Sequence, residues 1–124
     1  MSVSHEDWLR YAGEDLAMAR VLIGTSVPPR GPAFHAQQAV EKALKAVLVA
    51  NGREVPRIHD LLSLVHRLPP VAGLPATADL DVLSDYAVDS RYPDDMPDVT
   101  DDEAHEAIET AEAVLAAVRA ALGA

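Results

Sequence analysis

From Phe34 to Ala50 apolar residues return at every third or fourth position: Ala36, Val40, Ala43, Val47 and Ala50 make one stripe, and Phe34, Leu44 and Leu48 widen it. A strand would repeat every second residue, so this spacing commits the segment to an α-helix with a broad apolar face. Gln38, Glu41, Lys42 and Lys45 gather on the opposite side. Asn51-Gly52 marks the end, because glycine enters the left-handed conformation that terminates helices at little cost. A helix this apolar cannot stand alone in water, so the rest of the chain must cover it.

The remaining pattern supplies the cover. Ser4 is placed to cap a first helix, with Asp7 three residues later near the positive end of the helix dipole. Trp8, Ala12, Leu16, Ala19 and Ile23 then recur at helical spacing as far as about Gly24. Pro28, Pro29, Gly31 and Pro32 make residues 25–32 a loop. Asp60 caps a short helix that turns Leu61, Leu64, Val65 and Leu68 inward before Pro69-Pro70 stops it. After a linker over residues 69–77, Leu80, Leu83, Tyr86 and Ala87 mark a fourth helix, broken by Arg91-Tyr92-Pro93. An acidic loop follows over residues 94–99. Thr100 with Glu103 forms a capping box, and Ala104, Ile108, Ala111, Leu115, Val118 and Leu122 define a long last helix with a narrow seam.

No strand, internal repeat or low-complexity linker interrupts this order, so residues 1–124 are expected to form one domain. The expected fold is all-α: an antiparallel up-and-down bundle of about five helices, with a four-helix-bundle-like core plus a short helix. A chain of 124 residues buries enough surface to fold without a disulfide or a metal, and it contains no cysteine. Ala36, Ala39, Ala43, Ala46 and Ala50, with the alanines of the last helix, would admit another helix closely. Some of that surface is expected to face a second subunit.

Charge narrows the partners. The formal net charge is −10, but residues 1–78 are nearly balanced, with eight basic and seven acidic side chains. Residues 79–112 hold thirteen acids and only Arg91. That third repels phosphate backbones, so nucleic acid can be gripped only at a local basic patch. No apolar run reaches the length of a membrane span, and Met1 to Asp7 lacks the basic start and apolar stretch of a signal peptide. The expectation is a cytoplasmic protein that does not engage a membrane.

Phe34-His35-Ala36-Gln37-Gln38-Ala39-Val40-Glu41-Lys42-Ala43-Leu44-Lys45-Ala46 is similar to the signature helix of HEPN-domain proteins. Trp8 with Ala12, Asp15, Leu16 and Ala19 resembles the first helix of that family, and Ile58-His59-Asp60-Leu61 the start of its third. Arg91-Tyr92-Pro93-Asp94 resembles its closing motif. The resemblance runs over nearly the whole chain. It implies a bundle that commonly forms a symmetric homodimer, often encoded beside a minimal nucleotidyltransferase in prokaryotic toxin–antitoxin pairs. Some members are metal-independent ribonucleases that use an Arg followed after four to six residues by a His; others are proposed to bind nucleotides or to act as interaction modules.

The chain departs from the ribonuclease pattern at its decisive point. After Arg91 the next histidine is His105, and Pro93, Asp94, Asp95 and Asp98 lie between them. Arg30 with His35 and Arg53 with His59 meet the bare spacing but lie elsewhere in the fold. The expectation is therefore a non-catalytic homodimer that binds a nucleotidyltransferase partner or a nucleotide. The alternative is a ribonuclease toxin acting on RNA with Arg91 and His35 as catalytic groups.

The phosphate-binding candidates are Gln38, Lys42, Lys45, His59, Arg91 and Tyr92, and each has a structural reading beside the functional one. Lys42 and Lys45 present ammonium groups to a phosphate, or else belong to a solvated face where Glu41 and Lys45 pair at i,i+4. His35 donates to a phosphate, or packs beside Phe34 and bonds a neighbouring side chain. His59 binds a ligand or only orients the turn that Asp60 caps. Arg91 is a phosphate fork, or a salt bridge packed by Tyr86 and Tyr92. No His-Glu-x-x-His, calcium loop, phosphate-binding glycine loop or Gly-x-Ser-x-Gly occurs, so no metal and no cofactor beyond a nucleotide ligand is expected.

Overall fold

The computed structural model describes residues 3–87 and 98–123. Among these it contains five helices and no strand: α1 (His5–Leu22), α2 (Arg30–Ala50), α3 (Leu61–Val65), α4 (Thr77–Ser84) and α5 (Asp101–Leu122). The expected caps are in place. Ser4 Oγ accepts from the Asp7 backbone N–H at 3.1 Å while the Asp7 carboxylate accepts from the Ser4 N–H at 3.3 Å. Those Ser4 bonds, helped by Arg10, hold the Asp7 carboxyl below its ordinary range. Thr100 and Glu103 repeat the reciprocal arrangement on α5, and Asp60 accepts from Ser63 N–H at 3.1 Å to start α3.

Helix α2 begins earlier than the prolines suggest. Pro29 occupies its N-cap position, and Pro32 lies in the first turn. The first N–H groups of a helix have no acceptor within it, so a proline there forfeits no hydrogen bond. Gly31 allows the approach: a Cβ on it would fall 2.8 Å from Val27 Cγ1. Further along the chain, α4 stops at Ser84, yet Tyr86 beyond it remains buried.

Helix directions follow from the cross-links. Asp15 of α1 meets Lys42 and His35 of α2, and Trp8 lies by Lys45, so these two helices run antiparallel. Arg20 pairs with Glu112 at 2.5 Å, and a Cβ on Gly13 would stand 3.1 Å from Arg119, so α1 and α5 also run antiparallel. Thus α2 and α5 point the same way, and the stretch carrying α3 and α4 must bring the chain back. That is the up-and-down order the periodicity predicts.

Helix α2 lies at the centre, packed by α1, α3, α4 and α5. Its central place changes the fate of the alanine stripe. Ala36, Ala39, Ala43 and Ala46 have no exposed surface, because α1, α5 and the shorter helices of the same subunit already cover them. The expected second-subunit contact through those residues has no surface to use; Ala50, at the end of the helix, is exposed. Helix α5 buries a wider face than the expected seam, adding Ala107, Val114 and Ala117. Leu44, Leu48, Leu61, Leu64, Leu80, Leu83 and Leu115 fill the core, each contributing roughly 1.5–3 kcal/mol through removal from water.

Candidate functional site

One side of α2 carries polar residues into the packed interior. Among the described residues four polar or charged side chains are buried: Asp15, Gln37, Glu41 and Lys45. Burial of an ion costs several kcal/mol unless an opposite charge and hydrogen bonds compensate it. Here both carboxylates are compensated in the same way. Asp15 of α1 takes His35 Nδ1 on Oδ1 at 3.0 Å and Lys42 Nζ on Oδ2 at 2.5 Å. Glu41 takes His59 Nδ1 on Oε1 at 3.0 Å and Lys45 Nζ on Oε2 at 2.9 Å.

Each carboxylate is thus held between an imidazole and an ammonium. Gln37 extends the second cluster, with its Nε2 3.2 Å from Glu41 Oε1 and 3.4 Å from the His59 carbonyl, while Gln38 donates to Gln37 Oε1 at 2.6 Å. Two lysines thus balance two carboxylates across the two clusters. A neutral His35 donates from Nδ1 to Asp15, which leaves Nε2 as an acceptor. Its ring meets Phe34 edge-on at 5.4 Å, and a shallow apolar groove of Ala17, Met18, Val21 and Leu22 opens beside it.

The structure separates the candidates by access. Gln38 is partly exposed, as are the side chains of His35 at 25%, Lys42 at 29% and His59 at 48%. Lys45 is different. Only 8% of its side chain is exposed, and its ammonium pairs with Glu41 and lies 5.9 Å from the Trp8 ring. The solvated face expected for Glu41 and Lys45 is therefore an interior one, because Trp8 of α1 closes over it. His35 takes the structural position expected of it, beside Phe34 and bonded to a neighbour, and Asp60 is the N-cap. Arg53 donates to the Arg67 carbonyl. Arg91 and Tyr92, with most of the expected acidic loop, lie outside the described residues.

Asp15, Gln37 and Glu41 do not figure among the sequence candidates, although the pattern contained a sign of them. Asp15 stands three residues after Ala12 and four before Ala19, so it is a carboxylate inside the apolar stripe of α1. A charge in such a stripe needs a partner on the helix that covers it.

Comparison with known proteins agrees with this arrangement of helices. The profile described as HEPN domain matches residues 5–121. The crystal structure of TT1696 from Thermus thermophilus superposes with a TM-score of 0.79 at 34% identity, covering 94% of this chain and 96% of that one. The crystal structure of ST0689, described as an archaeal HEPN homologue, gives a TM-score of 0.72 at 25% identity over 98% and 99% of the two chains. A Methanocaldococcus jannaschii protein named "Putative toxin MJ1304" is 49% identical over 45 residues, which make up 36% of this chain and only 29% of that protein. With a profile match over almost its full length and helices that superpose on those of relatives of similar size, the chain belongs to the HEPN family.

Proposed function

We propose that this protein is the HEPN component of a toxin–antitoxin-type pair, a non-catalytic homodimer that joins a minimal nucleotidyltransferase partner and binds nucleotide phosphate along the polar stripe of α2. The observation that carries the site is the pair of buried carboxylates, Asp15 and Glu41, each held by one histidine and one lysine. This framework fixes Lys42, His35 and His59 in place at the surface, and Gln38 joins it through Gln37. Pre-ordered donors lose little freedom when an anion arrives. Lys45 serves the site indirectly by holding Glu41. Support for the pairing comes from family membership and from the name of the M. jannaschii relative.

Calorimetry with ATP tests the ligand. Binding should weaken in Lys42→Ala and survive in Arg53→Ala, whose guanidinium is engaged elsewhere; absence of heat in the wild-type protein ends the nucleotide reading. Light scattering after size exclusion tests the homodimer, and a strict monomer at micromolar concentration removes it. Co-purification with the product of an adjacent nucleotidyltransferase gene tests the partner.

The Asp15–His35 contact favours a second reading, ribonuclease activity, because a carboxylate on Nδ1 orients Nε2 for proton transfer. RNA incubated with the pure protein in EDTA, beside Arg91→Ala and His35→Ala, decides it: equal decay in all three removes this reading.

A further inference from the structure

The shallow groove beside His35 joins an apolar surface to the polar stripe of α2. Its volume is about 360 Å³, within the size of small-ligand sites, and Ala17, Met18, Val21 and Leu22 of α1 form it with His35. Met18 and Val21 are left 45% and 72% exposed, so a ligand seated there removes apolar surface from water. On the polar side, His35 Nδ1 is held by Asp15, whose second oxygen takes Lys42. Imidazole and ammonium meet the same carboxylate, so one nucleotide can reach from the groove to Lys42.

The extent of the apolar surface argues against a protein partner. Ala17 to Leu22 occupies only about 9 Å of helix at 1.5 Å per residue. Towards the start of α1 the surface gives way to Glu14 and Arg10, both about half exposed, and the Arg10 guanidinium lies 4.7 Å from the centre of the Tyr11 ring. A stable protein interface takes about 800 Å² from each partner, far more than this patch offers. A protein surface that broad would also draw the partly exposed Lys42 and its Asp15 partner out of water, at a desolvation cost. A single planar ring meets neither difficulty.

We infer that the groove receives the base of a nucleotide whose phosphate lies on Lys42 and Gln38, which rests on the phosphate reading of the α2 stripe given above. The polarizable Met18 side chain and the methyl groups of Val21 and Leu22 pack against the base. His35 Nδ1 is engaged by Asp15, and the other wall side chains carry no donor, so the base is held by apolar area rather than by a hydrogen-bonded readout. Purines therefore bind more tightly than pyrimidines, and adenine and guanine bind alike.

Calorimetry on the full chain with ATP, CTP and inorganic tripolyphosphate, together with nuclear magnetic resonance on adding adenosine, tests this. ATP should bind about tenfold more tightly than tripolyphosphate, with CTP between them. Adenosine should shift the Met18 methyl and Val21 resonances saturably. Met18→Gln with Val21→Ser adds no charge and changes exposed positions, so the fold should persist, checked by an unchanged melting temperature. That double variant should bring ATP down to the affinity of tripolyphosphate and leave tripolyphosphate binding as it was. Equal affinity of the wild-type protein for ATP and tripolyphosphate overturns the base subsite while the phosphate reading stands. Adenosine shifts without tripolyphosphate binding do the reverse, and neither signal removes both. A double variant that turns monomeric where the wild type is dimeric, with ATP affinity unchanged, gives the groove to a second copy and overturns the inference.

Discussion

Replacement of Lys45 by methionine should destabilise the fold far more than an ordinary i,i+4 pair would suggest. Lys45 and Glu41 have 8% and 5% of their side chains exposed, so water screens little of their attraction. Removal of one partner from a buried pair costs about 3–5 kcal/mol, because the other charge stays behind uncompensated. Glu41 retains Gln37 and His59, which points to the lower end, about 3 kcal/mol. Methionine keeps the stem against Trp8 but loses the ammonium above its ring. For 124 residues the unfolding entropy is about 260 cal/mol/K, so the melting temperature should fall by about 12 °C. Thermal and urea unfolding followed by helical circular dichroism, at one fixed protein concentration, measure it. Adding Glu41→Gln should return the protein to within about 1.5 kcal/mol of wild type, since the stranded charge is gone. A loss below about 1 kcal/mol in the single variant, or a double variant no better than the single, refutes the buried-pair argument.

Asp60→Ala and Thr100→Ala should each cost about 1 kcal/mol by releasing a helix N-terminus, and a double variant should be additive because the caps belong to different helices. Gly31→Ala should destabilise through the clash with Val27 Cγ1, and Val27→Ala in the same chain should restore stability measured by urea midpoint. Asp7 has a depressed folded-state ionisation, so its contribution is present above the unfolded value and is lost as pH falls through the folded one; Ser4→Ala should raise the Asp7 value in a carboxyl titration by NMR. Tyr86 has a raised value, so its contribution is complete below the ordinary phenol value of 10.0 and is lost as pH rises through the folded one. Tyr86→Phe should flatten that alkaline loss, and an unchanged alkaline slope would contradict it.

The helices were legible because their signals are local. Ser4 with Asp7 and Thr100 with Glu103 announce the starts of α1 and α5, and those caps form as the spacing requires. The early start of α2 was hidden by Pro28, Pro29 and Pro32, since a proline reads as a breaker unless its position in the first turn is known. The site was legible in part. His35, Lys42 and His59 stand out as polar residues on or beside α2, but their partners do not, because Asp15 is twenty residues from His35 and lies on another helix.

What the sequence determined by itself is the set of amphipathic helices, their order and the excess of acid in residues 79–112, all of which follow from local periodicity, capping and composition. Only the tertiary structure decided which polar residues become interior. Lys45 and Glu41 read as a solvated pair until α1 lays Trp8 across them, and the alanines of α2 read as a docking face until α1 and α5 of the same chain cover them. Burial is set by which helix lies over a face, and that depends on contacts between residues far apart in the chain.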